Sequence, residues 1–118
     1  MDEATLSDFL RKSLREGGWL VLPEFGVRSY DCMKQVDEAA FKWKNDAEVE
    51  AIAFECKCQQ TSRESFLAAL GQAVEYQLFF PRVFVVAQSG QFFLDQEKIL
   101  RKLGLGFMMI NDHGGLEG

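Results

Sequence analysis

Ala51-Ile52-Ala53-Phe54-Glu55-Cys56-Lys57 is an apolar run that ends on a carboxylate and an amine. In an extended strand successive side chains point to opposite faces, so residues two apart share one. Glu55 and Lys57 are expected to project together, with Ile52, Phe54, Cys56 and Cys58 on the other side. An exposed cross-face ion pair is one reading of Glu55 and Lys57. A site for metal-dependent phosphodiester hydrolysis is the other: the carboxylate holds a hard divalent cation, and the ammonium steadies the attacking water or the phosphate.

Working outward, the segment before it, Met33 to Lys44, reads as a second strand centred on Val36-Asp37-Glu38-Ala39-Ala40-Phe41, with a polar turn at 45–48. Alternation puts only one of Asp37 and Glu38 on the same face as Glu55. Upstream, Trp19 to Leu22 reads as a strand ending near Pro23 and Glu24, and 26–31 as a loop. Leu6, Phe9, Leu10, Ser13 and Leu14 recur at helical spacing, with Thr5 or Ser7 as cap and Gly17-Gly18 as the stop. Three strands on short connections suggest an antiparallel meander.

Downstream, Thr61 and Glu64 form a capping-box pattern opening a helix that runs towards Phe79. Val83 to Ala87 is an apolar run that suits a strand covered on both faces. Asp95 to Leu103 reads as a short helix and Phe107 to Ile110 as a last strand, before a turn-rich end at 111–115. The order is α-β-β-β-α-β-α-β, and no linker, repeat or low-complexity tract interrupts it, so residues 1–118 are expected to form a single domain.

Composition narrows the classes. With 118 residues and 47% hydrophobic content, the chain has material for one core and is not a disordered tail. Eighteen acidic residues against 13 basic give a net charge of −5, which does not advertise nucleic-acid binding. No apolar stretch approaches the ~20 residues of a membrane-spanning helix, and the acidic start lacks a signal-peptide layout. Three cysteines, two of them in one strand, fit reduced thiols and a cytoplasmic location. Cys32, Cys56, Cys58 and His113 lack the loop spacing of a structural zinc site. Stoichiometric zinc in the purified protein would favour a redox or metal-storage protein instead.

An acidic residue on the second strand and Glu-x-Lys on the third, in this element order, resemble the PD-(D/E)XK nuclease superfamily, which includes restriction endonucleases and Holliday-junction resolvases. Asp37 and Glu55-Cys56-Lys57 carry the resemblance, with Val36 in place of the proline that names the motif. Gly71-Gln72-Ala73-Val74-Glu75-Tyr76 looks like the Gln-containing helix of many branches. The resemblance implies an α/β restriction-endonuclease-like fold, with a mixed central sheet flanked by helices. It also implies a metal-dependent endonuclease acting on DNA. Asp37, Glu55 and the backbone carbonyl of Cys56 would hold Mg²⁺ or Mn²⁺, and Glu24 is a further candidate ligand. Lys57, beside two carboxylates, would act electrostatically on the attacking water and phosphate.

Gln72 and Tyr76, four apart on one helix face, would reach the site, Gln72 orienting Lys57 or a water and Tyr76 contacting a phosphate. Lys42 and Lys44 are candidate phosphate contacts, whereas Arg11, Lys12 and Arg15 read as a solvated helix face. A small domain reaches both strands of a duplex most simply as a symmetric homodimer, with a protein partner as another source of specificity. The alternative is a nuclease-fold module without turnover, serving as a nucleic-acid-binding or assembly subunit.

Overall fold

The computed structural model describes residues 2–29, 32–57, 63–89 and 94–117. Three helices and six strands follow one another as α1 (Glu3–Glu16), β1 (Leu20–Ser29), β2 (Cys32–Trp43), β3 (Val49–Lys57), α2 (Arg63–Tyr76), β4 (Arg82–Gln88), α3 (Leu94–Lys102), β5 (Gly106–Ile110) and β6 (Leu116–Glu117). The strands form one mixed sheet in chain order. β1, β2 and β3 pair antiparallel, β3, β4 and β5 pair parallel, and β6 returns antiparallel to β5. The chain is a small α/β domain. Its elements follow the expected order, with β6 added where only turns were expected. The capping box at 61–64 begins outside the described residues, as does Cys58.

Helices cover both faces of the sheet, because its strands are apolar on both. On one face Leu6, Leu10 and Leu14 of α1 pack on Val21, Ala40, Ile52, Phe54 and Val86. On the other, Phe66, Ala73 and Tyr76 of α2 and Leu100 of α3 pack on Ala39, Ala53, Val83 and Val85. The alanines leave room for helices to sit close to the sheet. β4, paired on both sides and buried on both faces, is the central strand that its apolar run implied. α1 begins one turn earlier than expected. Asp2 is its cap, accepting the Thr5 N–H at 2.8 Å, so the acid at the N-terminus serves the helix.

β1 differs most from expectation. It does not stop at Pro23 but continues to Ser29, so 26–29 is strand and not loop. β1 is an edge strand in this sheet, where a residue without an N–H costs no ladder bond. Phe25 and Val27 then pack under α2 beside Phe41 and Phe80.

That continuation contains a change of face. Ala39 and Val36 lie in one core cluster, yet three residues apart they belong on opposite sides of a regular strand. The facing strand makes the same switch: Pro23 registers with Glu38 and Phe25 with Val36, while Glu24 and Asp37 between them are unregistered. Glu24 takes φ 50°, a left-handed conformation that costs a non-glycine residue ~1–3 kcal/mol. The step therefore turns Asp37 out of the regular ladder.

Glu38, on the α1 side of this step, is 1% exposed and is gripped by Arg11 of α1. Arg11 Nε donates to Oε1 at 2.7 Å and Nη2 to Oε2 at 3.0 Å, a two-pronged match of guanidinium to carboxylate. Arg11 is thus a structural clamp, not part of a solvated face. Removing one partner of a buried pair leaves an uncompensated charge. Arg11→Ala is predicted to cost about 3–5 kcal/mol in urea denaturation, with much of that restored in Arg11→Met/Glu38→Leu. A loss under 1 kcal/mol for the single variant contradicts the clamp.

Candidate functional site

The last registered pair between β2 and β3 is Glu38 with Phe54. Beyond it the strands part, and a side chain replaces the backbone as acceptor: the Cys56 N–H donates to Asp37 Oδ2 at 2.9 Å. Asp37 is thereby fixed beside Glu55, the neighbour of Cys56 on β3. Glu55 is 4% exposed. Its Oε2 accepts from the Tyr76 hydroxyl of α2 at 2.7 Å, and the Tyr76 hydroxyl oxygen also lies 3.2 Å from the Gln35 carbonyl oxygen. Ile52, Phe54 and Cys56 pack on the α1 side, opposite Glu55, as alternation requires.

The two carboxyls act on each other in opposite senses, raising Glu55 and lowering Asp37, so a proton held by the pair rests chiefly on Glu55. Burial raises the Glu55 carboxyl to about 7, and the charge of Asp37 pushes in the same direction. Asp37 is also raised, chiefly by burial, against the Cys56 N–H that favours its charged form. Burial and the bond to Glu55 push the Tyr76 phenol up, so it stays a donor. Burial likewise holds the Cys56 thiol in its neutral form. That removes Cys56 as a thiolate ligand or nucleophile.

Lys57, at the tip of β3, lies 3.7 Å from Glu3 Oε1 at the start of α1. Glu3 was not foreseen. Its charge bears on Asp37, and it lines, with Ser7, Asp8, Arg11, Glu24, Asp37, Glu38 and Cys56, a cavity of about 420 Å³ between α1 and the sheet. Glu24 therefore does share a cavity with Asp37, as expected of a further acid. An acidic residue in the first turn is a common helix-start signal, so nothing in the sequence set Glu3 apart.

Other candidates lie elsewhere. Gln72, one turn before Tyr76, is exposed. Tyr76 does not point outwards to a phosphate: it is 2% exposed, and its hydroxyl is committed to Glu55. Lys42, five residues along β2 from Asp37, lies roughly 16 Å away along the strand. Its Nζ donates to the Gly17 carbonyl at 3.1 Å and sits over the Trp19 ring. Lys44 pairs loosely with Glu48 across the next turn. Both lysines serve the far end of the sheet.

No group of three or more His, Cys, Asp or Glu side chains among the described residues is arranged to hold a metal ion. A cation here would rest on two carboxylates completed by backbone and water oxygens.

No family model and no curated protein matches the chain. Among solved structures it is similar to a protein of unknown function, AF1548, with a TM-score of 0.63 and 15% identity over 86% of this chain. The likeness is one of fold. The chain spans about half of that structure, 54% of its length.

The proton on Glu55 has a consequence for stability. Glu55 titrates near 4.5 when unfolded and near 7 when folded. Between these values the folded protein keeps a proton that the unfolded chain releases. Stability is therefore full below the lower value and falls as pH rises through the upper one. The loss is on the order of 3 kcal/mol at most. Thermal melts from pH 5 to 8 should show this fall in the wild type and a flatter profile in Glu55→Gln, which should be the more stable protein at pH 8. Equal slopes would rule out a shared proton.

Proposed function

We propose that the chain is a metal-dependent nuclease with a restriction-endonuclease-like fold, hydrolysing DNA phosphodiester bonds at Asp37, Glu55 and Lys57. The observation that carries this reading is the buried Glu55 carboxyl beside the half-buried Asp37 carboxyl at the point where β2 leaves β3. Two such groups share a proton because both charges cannot be borne together. A divalent cation satisfies both, so the donor set fits Mg²⁺ or Mn²⁺. The element order and the position of Lys57 at the strand tip, two residues beyond Glu55, also support it.

Asp37 and Glu55 would each give a carboxylate oxygen. The Cys56 carbonyl is a third donor, since a strand residue directs its N–H and C=O to the same neighbour and the Cys56 N–H faces Asp37. Glu24, in the same cavity, can add an oxygen through a bound water. When bound, the cation supplies Lewis acidity and lowers the pKa of an attacking water. Tyr76 orients Glu55 from behind, leaving its second oxygen free to turn towards Asp37. Lys57, partly exposed and loosely held by Glu3, brings a positive charge to the phosphate in the transition state. Gln72 has no part in this account beyond sharing α2 with Tyr76.

A second reading has its own support. The cavity wall carries Glu3, Asp8, Glu24, Asp37 and Glu38, while its Arg11 is committed to Glu38. Without a cation that wall repels phosphate, as a binding or assembly module that has lost turnover could tolerate. Plasmid nicking separates the two. Cleavage should require Mg²⁺ or Mn²⁺ and fall at least 100-fold in both Glu55→Ala and Lys57→Ala. Absence of cleavage on duplex, branched and single-stranded DNA with either metal would favour the module.

A further inference from the structure

At the end of the sheet away from Asp37 and Glu55, we infer a docking site for a short segment of another protein. That segment carries an arginine or lysine beside an aliphatic side chain, and the inference is independent of the nuclease reading. Strand register places the site's residues on one surface. Leu20 stands opposite Phe41, Leu22 opposite Ala39, and Trp43 opposite Val49. Ala39 and Phe41 belong to the α2-side cluster, and residues two apart on a strand share a face. Leu20, Leu22, Trp43 and Val49 therefore all lie on that side. Cover ends at Phe80, whose ring centre lies 6.3 Å from that of Phe41. Beyond it Trp43 is 70% exposed, and it borders an apolar cleft of about 280 Å³ with Leu20, Phe41 and Val49.

Charge selects the occupant. The turn at 44–48 beside Trp43 is fixed by Asn45, whose Oδ1 accepts the N–H groups of Ala47 and Glu48 at 2.9 and 3.0 Å. Trp43, Asn45 and Asp46 line a second cleft, of about 480 Å³. Asp46 has no hydrogen bond or ion pair among the described residues. The cations nearby are already matched. Lys44 pairs with Glu48, and Lys42, which also lines the apolar cleft, turns its ammonium to the Gly17 carbonyl and the Trp19 ring. An indole face beside an unmatched carboxylate attracts a guanidinium or ammonium group, and the same carboxylate repels phosphate. The aliphatic neighbour of that cation fills the apolar cleft, which Trp43 shares.

Area sets the size of the partner segment. Leu20, Leu22, Trp43 and Val49 are 37–70% exposed, and with roughly 200 Å² for a whole side chain they offer ~400 Å² of apolar surface. A folded partner covers about 800 Å². The patch is half of that, which suits a short segment anchored on one tryptophan.

Nuclear magnetic resonance tests this, because the chain has two tryptophans, Trp19 and Trp43, and Trp43→Phe assigns their indole signals. An amidated peptide of alternating leucine and arginine should shift the Trp43 indole and the amides of Leu20, Asp46 and Val49. Read at Val49, Asp46→Asn should weaken binding at least threefold and Trp43→Ala at least tenfold. Both side chains are exposed, so the circular dichroism spectrum should not change. The same peptide with glutamate in place of arginine should leave these signals unmoved. No shift at Trp43 with about 5 mM arginine peptide overturns the inference. So does undiminished binding in Asp46→Asn, equal binding of the glutamate peptide, or a Trp43 shift produced by a DNA oligonucleotide and not by the arginine peptide.

Discussion

Asp37 and Glu55 are neighbouring carboxyl groups, one half-buried and one buried, that water screens poorly from each other, and much of the local structure serves to keep them so. Glu55 stands on a strand buried on both faces, so its position follows from the core. Asp37 reaches it because β1 and β2 change face together at Glu24 and Asp37. The strained Glu24, the Cys56 N–H and the Tyr76 hydroxyl all hold this one arrangement. Strain of this kind persists only where its surroundings impose it, and here Arg11 and Glu38 lock α1 against the same step.

The arrangement links packing to electrostatics. α1 brings three things to the sheet: an apolar stripe, the guanidinium that neutralises Glu38, and Glu3 beside Lys57. α2 brings Tyr76 to the opposite side of Glu55. The site is thus a seam between two packed layers and not a surface cluster. Its polar groups are largely matched to one another. The raised Glu55 carboxyl beside Asp37 is the exception, and on the proposed reading a divalent cation would satisfy the same oxygens.

Much of the fold was legible in the sequence because the apolar periods are clean: Leu6, Leu10 and Leu14 for α1, the unbroken run of β4, and the alternation in β3. The second half of β1 was not. Pro23 and Gly26 are turn signals by composition, and only the edge position and the φ of Glu24 make them strand residues. Within the site, alternation separated Glu55 from Cys56 correctly, and the order of Asp37 before Glu-x-Lys pointed to the carboxylate that the structure places beside Glu55. Glu38 could not be recognised as a buried ion, since its partner Arg11 lies 27 residues away and looks like any basic residue on a helix. Gln72 and Tyr76 were legible only as a pair one turn apart; the burial of the tyrosine distinguishes them. Lys42 and Lys44 illustrate the limit of charge reading, because strand length carries them away from Asp37.

The central claim is that Asp37 and Glu55 exchange their proton for a cation, and Mn²⁺ binding followed by electron paramagnetic resonance at pH 8 tests it directly. The wild type should bind one Mn²⁺ per chain, release protons as it does so, and bind at least tenfold more weakly at pH 5.5. Asp37→Asn and Glu55→Gln should each abolish the site while remaining folded. Undiminished Mn²⁺ binding in both variants, or none in the wild type, would contradict the account.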